Sequence, residues 1–184
     1  MKDQNFFASF VYMSYHGVNH LEAGMFRQEK ITDQFLRISR EHTLFVETIS
    51  AIRKWLSSAD KHAALSGLKS LIPKLQNDMD EHFQLEEQFL FPTALLTMRD
   101  IHIVDMVLAL QKEHGCFETD IRKIHDAFRS IPKSQTTLTK DLSGMLHEFC
   151  DSFEKHADIE MSSLFARMDR NRRCKAIIRG FVVK

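Results

Sequence analysis

The sequence predicts an all-α protein, an up-down-up-down antiparallel four-helix bundle formed by a single domain spanning residues 1–184. Over four long segments, apolar residues recur at steps of three and four, which is the period of a helix with one buried face. No segment shows the sustained alternation of a strand, and no Asn-Gly or Asp-Gly dipeptide marks a hairpin. Three prolines and six glycines leave little room for linkers between domains.

The first predicted helix covers about residues 22–57 and the second about 62–97, with a turn at SSADK between them. We expect Pro73 to kink the early part of the second helix and Pro92 to disturb its end, because proline lacks the N–H that a helix interior needs. The apolar stripe of the first helix consists of Ile31, Phe35, Ile38, Phe45, Ile49, Ile52 and Leu56. That of the second consists of Leu68, Leu71, Ile72, Leu75, Met79, Phe89 and Leu90.

The third predicted helix covers about residues 100–130 and the fourth about 136–168, with RSIPKSQTT between them. The bundle core thus spans about 22–168, preceded by an aromatic N-terminal arm, 1–21, and followed by a short basic tail, 169–184. Both appendages are predicted to pack on the bundle, the arm as an additional helix. The alternative for the tail is a partner or membrane surface, because its basic residues cluster beside an apolar end.

Composition excludes several classes of function. Lys and Arg together number 25, as do Asp and Glu, so no overall charge favours nucleic acid or an acidic membrane as a partner. No stretch approaches the roughly 18 apolar residues of a membrane span. Cys116, Cys150 and Cys174 lack CxxC spacing, which argues against a disulfide framework and predicts a cytoplasmic protein. Cys116 and Cys150 are predicted to be buried thiols.

A histidine interrupts the apolar stripe of every helix: His42, His82, His114 and His156. Two of them have a carboxylate four residues later, Glu86 and Glu160, on the same helical face. Counting residues from the turns places all four histidines at one level of the bundle, within about one helical turn. A single histidine on an apolar face is usually a hydrogen-bonded core residue, whereas four at one level with two carboxylates predict a metal site.

The mixed nitrogen and oxygen ligands of this site suit iron, manganese or zinc better than calcium. Two carboxylates that can each bridge suit two metal ions better than one. The neighbouring acids Glu41 and Glu87 lie about 100° round their helices from the ligands. They are predicted either to be solvated surface acids or to orient an imidazole.

The segments HFQLEEQFLFP, EHGCF and HADIEMSSLF, together with His42, resemble the hemerythrin-like family of HHE cation-binding domains. The resemblance covers about residues 40–168. It implies a non-heme di-iron centre with an oxo or hydroxo bridge and an open position for dioxygen. By this resemblance, Glu86 and Glu160 would bridge the irons, and the terminal ligands would be His42, His82, His114 and His156.

The sequence departs from the oxygen-carrying hemerythrins at one ligand. Their third helix offers two histidines four residues apart, whereas the position before His114 is here Leu110. Glu118, four residues after His114, could supply a carboxylate ligand instead. So could a residue of the N-terminal arm, for which the candidates are Tyr12, Tyr15, His16 and His20. The loss of a histidine favours redox turnover, NO or peroxide chemistry or iron sensing over reversible oxygen carriage.

Three hypotheses for the function follow. The first is a di-iron protein that binds or senses dioxygen, NO, or redox or iron status at an open metal position. The second is a di-iron enzyme of oxidoreductase type that reduces peroxide or NO, or that donates iron for iron–sulfur repair. The third is a structural bundle without metal or with zinc; zinc and manganese are also possible substitutes for iron. The oligomeric state is not predicted.

Overall fold

The computed structural model describes the backbone of residues 23–178 and the side chains of residues 33–178. This part of the chain is helical and contains no strand, which confirms the predicted fold class. The predicted N-terminal arm, 1–21, lies outside the described residues. Among those residues, no helix has the length and apolar character needed to cross a bilayer.

Four long helices form the bundle: α1 (Ala23–Leu56), α2 (Lys61–Leu85), α4 (Ile101–Ser130) and α5 (Lys140–Ile159). Each packs on the next along the chain and α5 packs back on α1, so the four helices enclose one interior. Short connections make neighbouring helices antiparallel. Side-chain caps fix three of the helix starts, where Asp60, Asp100 and Thr139 accept hydrogen bonds from the N–H groups of the first turn.

Two π-helical segments, at Glu86–Leu90 and Glu160–Phe165, interrupt the second and fourth predicted helices. After them the chain continues as α3 (Phe91–Thr97) and α6 (Ala166–Arg170). In the first segment the Phe91 N–H donates to the carbonyl of Glu86, five residues earlier. Pro92 is compatible with this wider turn, because its nitrogen has no hydrogen to donate to the carbonyl four residues back and its ring crowds that carbonyl.

The predicted basic tail begins with one more helix, α7 (Arg172–Ile178), which packs on α1, α3 and α6. Cys174 on this helix is fully buried and shares a hydrogen bond with Thr97 of α3, at an oxygen-to-sulfur distance of 2.6 Å. Cys150 is buried as predicted. The prediction for Cys116 is wrong, since this thiol is exposed: it lies two residues past the buried His114, about 200° round α4.

The interior consists of two apolar clusters. The lower cluster lies toward the connections at 57–60 and 131–139, and the upper cluster toward the connection at 98–100 and α7. On every long helix the predicted histidine ligand lies between residues of the lower cluster and residues of the upper cluster. A polar layer therefore crosses the bundle between two apolar regions.

Candidate metal centre

Six of the seven predicted metal ligands meet in this polar layer. The two histidines of the EHxxF segments come from α1 and α4, and the His-x-x-x-Glu pairs come from α2 and α5 with the π segments that follow. All six side chains are buried, with at most 6% of any residue exposed: His42, His82, Glu86, His114, His156 and Glu160. A polar group in such a place costs free energy unless a partner compensates its lost hydration.

Glu86 lies between the histidines of three helices. Its Oε1 is 2.9 Å from His42 Nε2 and 2.8 Å from His82 Nε2, whereas its Oε2 is 3.3 Å from His114 Nε2. Glu160 has a similar position, with its Oε2 3.4 Å from His42 Nε2 and 3.8 Å from His156 Nε2. Each carboxylate can therefore reach at least one imidazole of the pair His42 and His82 and one of the pair His114 and His156, as a bridging ligand must.

The ligand atoms form two overlapping groups in the described part of the chain. The first contains His42, His82, Glu86 and Glu160, and the second contains Glu86, His114 and His156. Within each group, one ligand atom per residue lies within 4.8 Å of all the others. Because Glu86 belongs to both groups, the arrangement suits two adjacent cations that share a carboxylate.

Unpaired polar atoms supply an independent test of whether a metal fits. The described residues contain six buried side-chain nitrogen or oxygen atoms without a hydrogen-bond partner, and five of them belong to this cluster. They are Glu86 Oε2, His114 Nε2, His156 Nε2, Glu160 Oε1 and Glu160 Oε2. Each such group costs about 1–3 kcal/mol when it is left unpaired. Bound cations would pair all five, so these residues fit a two-metal centre.

Without cations, protons balance the charge of the cluster. Burial opposes the ionisation of Glu86, but the charge on His82 and the close imidazoles of His114 and His42 outweigh it and hold the pKa of Glu86 well below its usual value. Burial also disfavours the charged form of His82, yet Glu86 and Glu41 raise its pKa to about 9. Burial and the negative charge of Glu86 raise the pKa of Glu160 well above its usual value. Metal binding at this cluster would therefore release protons.

Three carboxylates outside the cluster each hold one of its imidazoles in place. The Nδ1 of His82 lies 2.9 Å from Glu41 Oε2, that of His114 lies 3.0 Å from Glu87 Oε1, and that of His156 lies 2.8 Å from Glu113 Oε2. With Nδ1–H donating to a carboxylate, each ring keeps Nε2 free and directed toward the centre of the layer. We call Glu41, Glu87 and Glu113 the outer carboxylates.

Of the two acids that the sequence left open, Glu41 and Glu87 thus both contact an imidazole. Sequence reasoning missed Glu113 altogether. A signal for it was present, because Glu113 directly precedes His114 just as Glu41 directly precedes His42.

The structure does not bring Glu118, the seventh predicted ligand, into either group of described residues. It lies one turn past His114 on α4, at the level where Phe117 of the lower cluster fills the interior, and it is only half-buried. The alternative ligands of the arm lie outside the described residues. At the position of the missing fifth histidine, Leu110 is buried in the upper cluster.

Comparison with known proteins agrees with this geometry. The family model of the hemerythrin HHE cation binding domain matches residues 35–168, which is well over half of the chain and includes all six clustered ligands. No curated protein and no solved structure matches significantly. The chain belongs to the hemerythrin HHE cation-binding domain family.

Proposed function

We propose that the protein is a non-heme di-iron protein that binds or senses a small oxidant, dioxygen or NO, or reports redox or iron status. The observation that carries the proposal is the position of Glu86, whose two oxygens face different histidine groups. A carboxylate in this place suits a pair of ions held side by side.

The donor set narrows the metal to three candidates, and the proposed redox role favours iron among them. Four imidazoles and two carboxylates suit iron, manganese and zinc, and lack the thiolates that favour softer ions. Iron supplies the redox change that the binding of dioxygen or NO requires, which zinc does not. The protein's own contribution is to hold Nε2 atoms and carboxylate oxygens in a buried layer.

The surroundings of the layer favour a small, weakly polar ligand. Leu110 and Phe91 of the upper cluster are buried close to His114, and Phe91 stacks on its ring with centroids 5.5 Å apart. These side chains exclude water and offer no charged group to a larger substrate. Because Leu110 cannot bind a metal, the ion bound by His114 and His156 would keep a position free for such a ligand.

The three cysteines, Cys116, Cys150 and Cys174, are all free thiols. Free thiols are typical of a reducing compartment, so we place the protein in the cytoplasm. Its partner in this proposal is a small molecule, and the balanced charge of the chain favours no nucleic acid.

Metal analysis of protein purified from iron-supplemented cells tests the proposal. We expect two irons per chain and near-ultraviolet charge-transfer bands that change when dioxygen or NO is added and recover when it is removed. The variant Glu86→Gln should lose the iron pair, whereas the control Glu118→Gln should retain it. Colourless protein containing zinc would contradict the proposal, and bleaching with peroxide turnover would indicate an enzyme instead.

A further inference from the structure

The two halves of the metal centre repeat each other in sequence. ISREHTLF at 38–45 aligns with LQKEHGCF at 110–117, and HFQLEEQFLF at 82–91 aligns with HADIEMSSLF at 156–165. In each half, a helix with a Glu-His pair is followed by a helix with His-x-x-x-Glu. In each half, a π segment begins at the second carboxylate, Glu86 or Glu160.

Ring contacts around the centre follow the same repeat. Phe45 packs on His82 with ring centroids 4.9 Å apart, and its counterpart Phe117 packs on His156 at 5.2 Å. Phe91 packs on His114 at 5.5 Å, and its counterpart Phe165 packs on His42 at 5.7 Å. Equivalent positions in the two halves therefore face equivalent imidazoles.

The outer carboxylates obey the repeat with one exception. Glu41 contacts His82 as Glu113 contacts His156, so this pair is complete. Glu87, which directly follows Glu86, contacts His114. The residue that directly follows Glu160 is Met161.

Among the described residues, His42 therefore lacks the support that the other three imidazoles receive. The described carboxylates within 4.0 Å of its ring nitrogens are Glu86 and Glu160, and both face Nε2. Met161 is 41% exposed and has no group that could accept a hydrogen bond as a carboxylate does. No outer carboxylate fixes the orientation of the His42 ring.

A second asymmetry weakens the same half. Arg37 donates from Nε to Glu41 Oε1 at 2.6 Å and is also paired with Glu81. Its positive charge offsets that of Glu41, so Glu41 polarises the His82 ring less than a free carboxylate would. Glu87 and Glu113 form no ion pair with Lys or Arg among the described residues.

We propose that the outer carboxylates are positioning residues of the metal centre, and that Met161, in place of a fourth, makes one of its two metals exchange first. The metal that exchanges first is the one bound by His42 and His82, since only His82 of that pair is held by an outer carboxylate. In this inference the unsupported His42 ring outweighs the greater number of protein ligands in reach of that ion. The metal bound by His114 and His156 has both imidazoles held. The inference rests on the di-iron centre proposed above and adds a difference between its two positions.

Release of iron to a chelator tests this inference. Anaerobic protein loaded with two ferrous ions is mixed with an excess of a ferrous chelator whose complex is coloured, and release is followed by absorbance. We expect two phases of one iron each. Met161→Glu should slow the fast phase about tenfold, because partners of this kind typically change metal affinity by about 10–100-fold. Met161→Leu is the matched control and should leave both phases unchanged.

Each substitution that removes one of the existing outer carboxylates should change the rate of only one of the two phases of iron release. Glu87→Gln and Glu113→Gln should speed the slow phase about tenfold or more and leave the fast phase unchanged. Glu41→Gln should speed the fast phase. Its control is Glu81→Gln, which removes an acid that also contacts Arg37 but does not touch an imidazole.

The outcomes separate this inference from the proposed function. If the wild type fails to hold two irons, the di-iron proposal itself fails. If two irons bind but Met161→Glu behaves like Met161→Leu, or the Glu87 variant speeds the fast phase instead, the di-iron centre stands and the inference is wrong. Thermal unfolding of each metal-free variant shows that it is folded. Should a glutamine variant not fold, the substitutions at the exposed Met161 still decide the question.

Discussion

The two buried carboxylates of the cluster, Glu86 and Glu160, are predicted to respond in opposite ways to the same substitution in the metal-free protein. Glu160→Gln replaces a buried acid by a neutral residue of the same shape, whose amide can donate toward Glu86 permanently. Glu86→Gln instead removes the negative charge that pairs with His82, whose pKa is raised to about 9. We expect Glu160→Gln to stabilise the metal-free protein and Glu86→Gln to destabilise it.

The expected size follows from the ionisation of Glu160. Burial and the charge of Glu86 raise its pKa well above the ordinary value of 4.5. Above pH 4.5 the unfolded state loses this proton while the folded state keeps it. The free energy of unfolding therefore falls by about 1.4 kcal/mol per pH unit, or by up to about 3 kcal/mol at pH 7. At about 2–4 °C per kcal/mol for a domain of this size, Glu160→Gln should raise Tm by up to about 6–12 °C. Breaking the buried pair in Glu86→Gln should cost about 3–5 kcal/mol.

The pH dependence supplies the control. Because the folded-state pKa of Glu160 lies above the unfolded value, the cost is absent below about pH 4.5 and grows as the pH rises. The advantage of Glu160→Gln should therefore be present at pH 7 and vanish near pH 4.5 in thermal or urea unfolding followed by circular dichroism. With iron bound, the variant should lose its advantage, because glutamine is a poor bridge. An equal advantage at both pH values, or none at pH 7, would refute the reasoning.

Three further predictions concern other parts of the structure. Loss of the stabilising proton on His82 should lower the unfolding free energy of the metal-free protein by about 3 kcal/mol as the pH rises from 6.5 through 9, in addition to the cost from Glu160. Urea titrations measure this fall, and His82→Gln should make the slope shallower than in the wild type. Brief treatment of the native protein with iodoacetamide at pH 8 should modify the exposed Cys116 and spare Cys150, because burial raises the pKa of the Cys150 thiol to about 11. Mass spectrometry maps the modified residues, and modification of both thiols would contradict this prediction. Gly67→Ala should destabilise the protein by about 1–2 kcal/mol in chemical unfolding, because the added Cβ would lie 2.6 Å from the Trp55 ring. This overpacking exceeds the gain in helix propensity from replacing glycine by alanine. Unchanged or greater stability would show that the Trp55 ring can move aside.

Much of the fold could be predicted from the sequence, because every long helix carries an apolar stripe that is buried in the structure. The π segments could not. A π segment adds one residue to a helical turn, but the apolar pattern continues through it, and Leu90 and Leu164 within the two segments are buried. A search for apolar residues at steps of three and four therefore does not detect the extra residue. Pro92 marked the place of the first segment but not its form. The second has no proline, and we have no physical account of it.

The candidate ligands could be found as interruptions of the apolar stripes, because desolvated polar residues there need a partner. The outer carboxylates were harder to predict. The spacing along one helix shows that Glu113 is close to His114 in sequence, but the imidazole it contacts belongs to His156 on the next helix. Comparison of the two EHxxF segments with each other, rather than with a helical period, would have predicted Glu113 from Glu41.

The polar layer between the lower and upper clusters also has a consequence for cooperativity. Without cations, the two apolar clusters are linked by the helix backbones and by the hydrogen bonds and charges of the polar layer. The protonation of that layer changes with pH. Ions coordinated from four helices would tie both regions into a single cooperative unit. Metal occupancy would then sharpen the unfolding transition of the bundle, and loss of metal would weaken the coupling between its two ends.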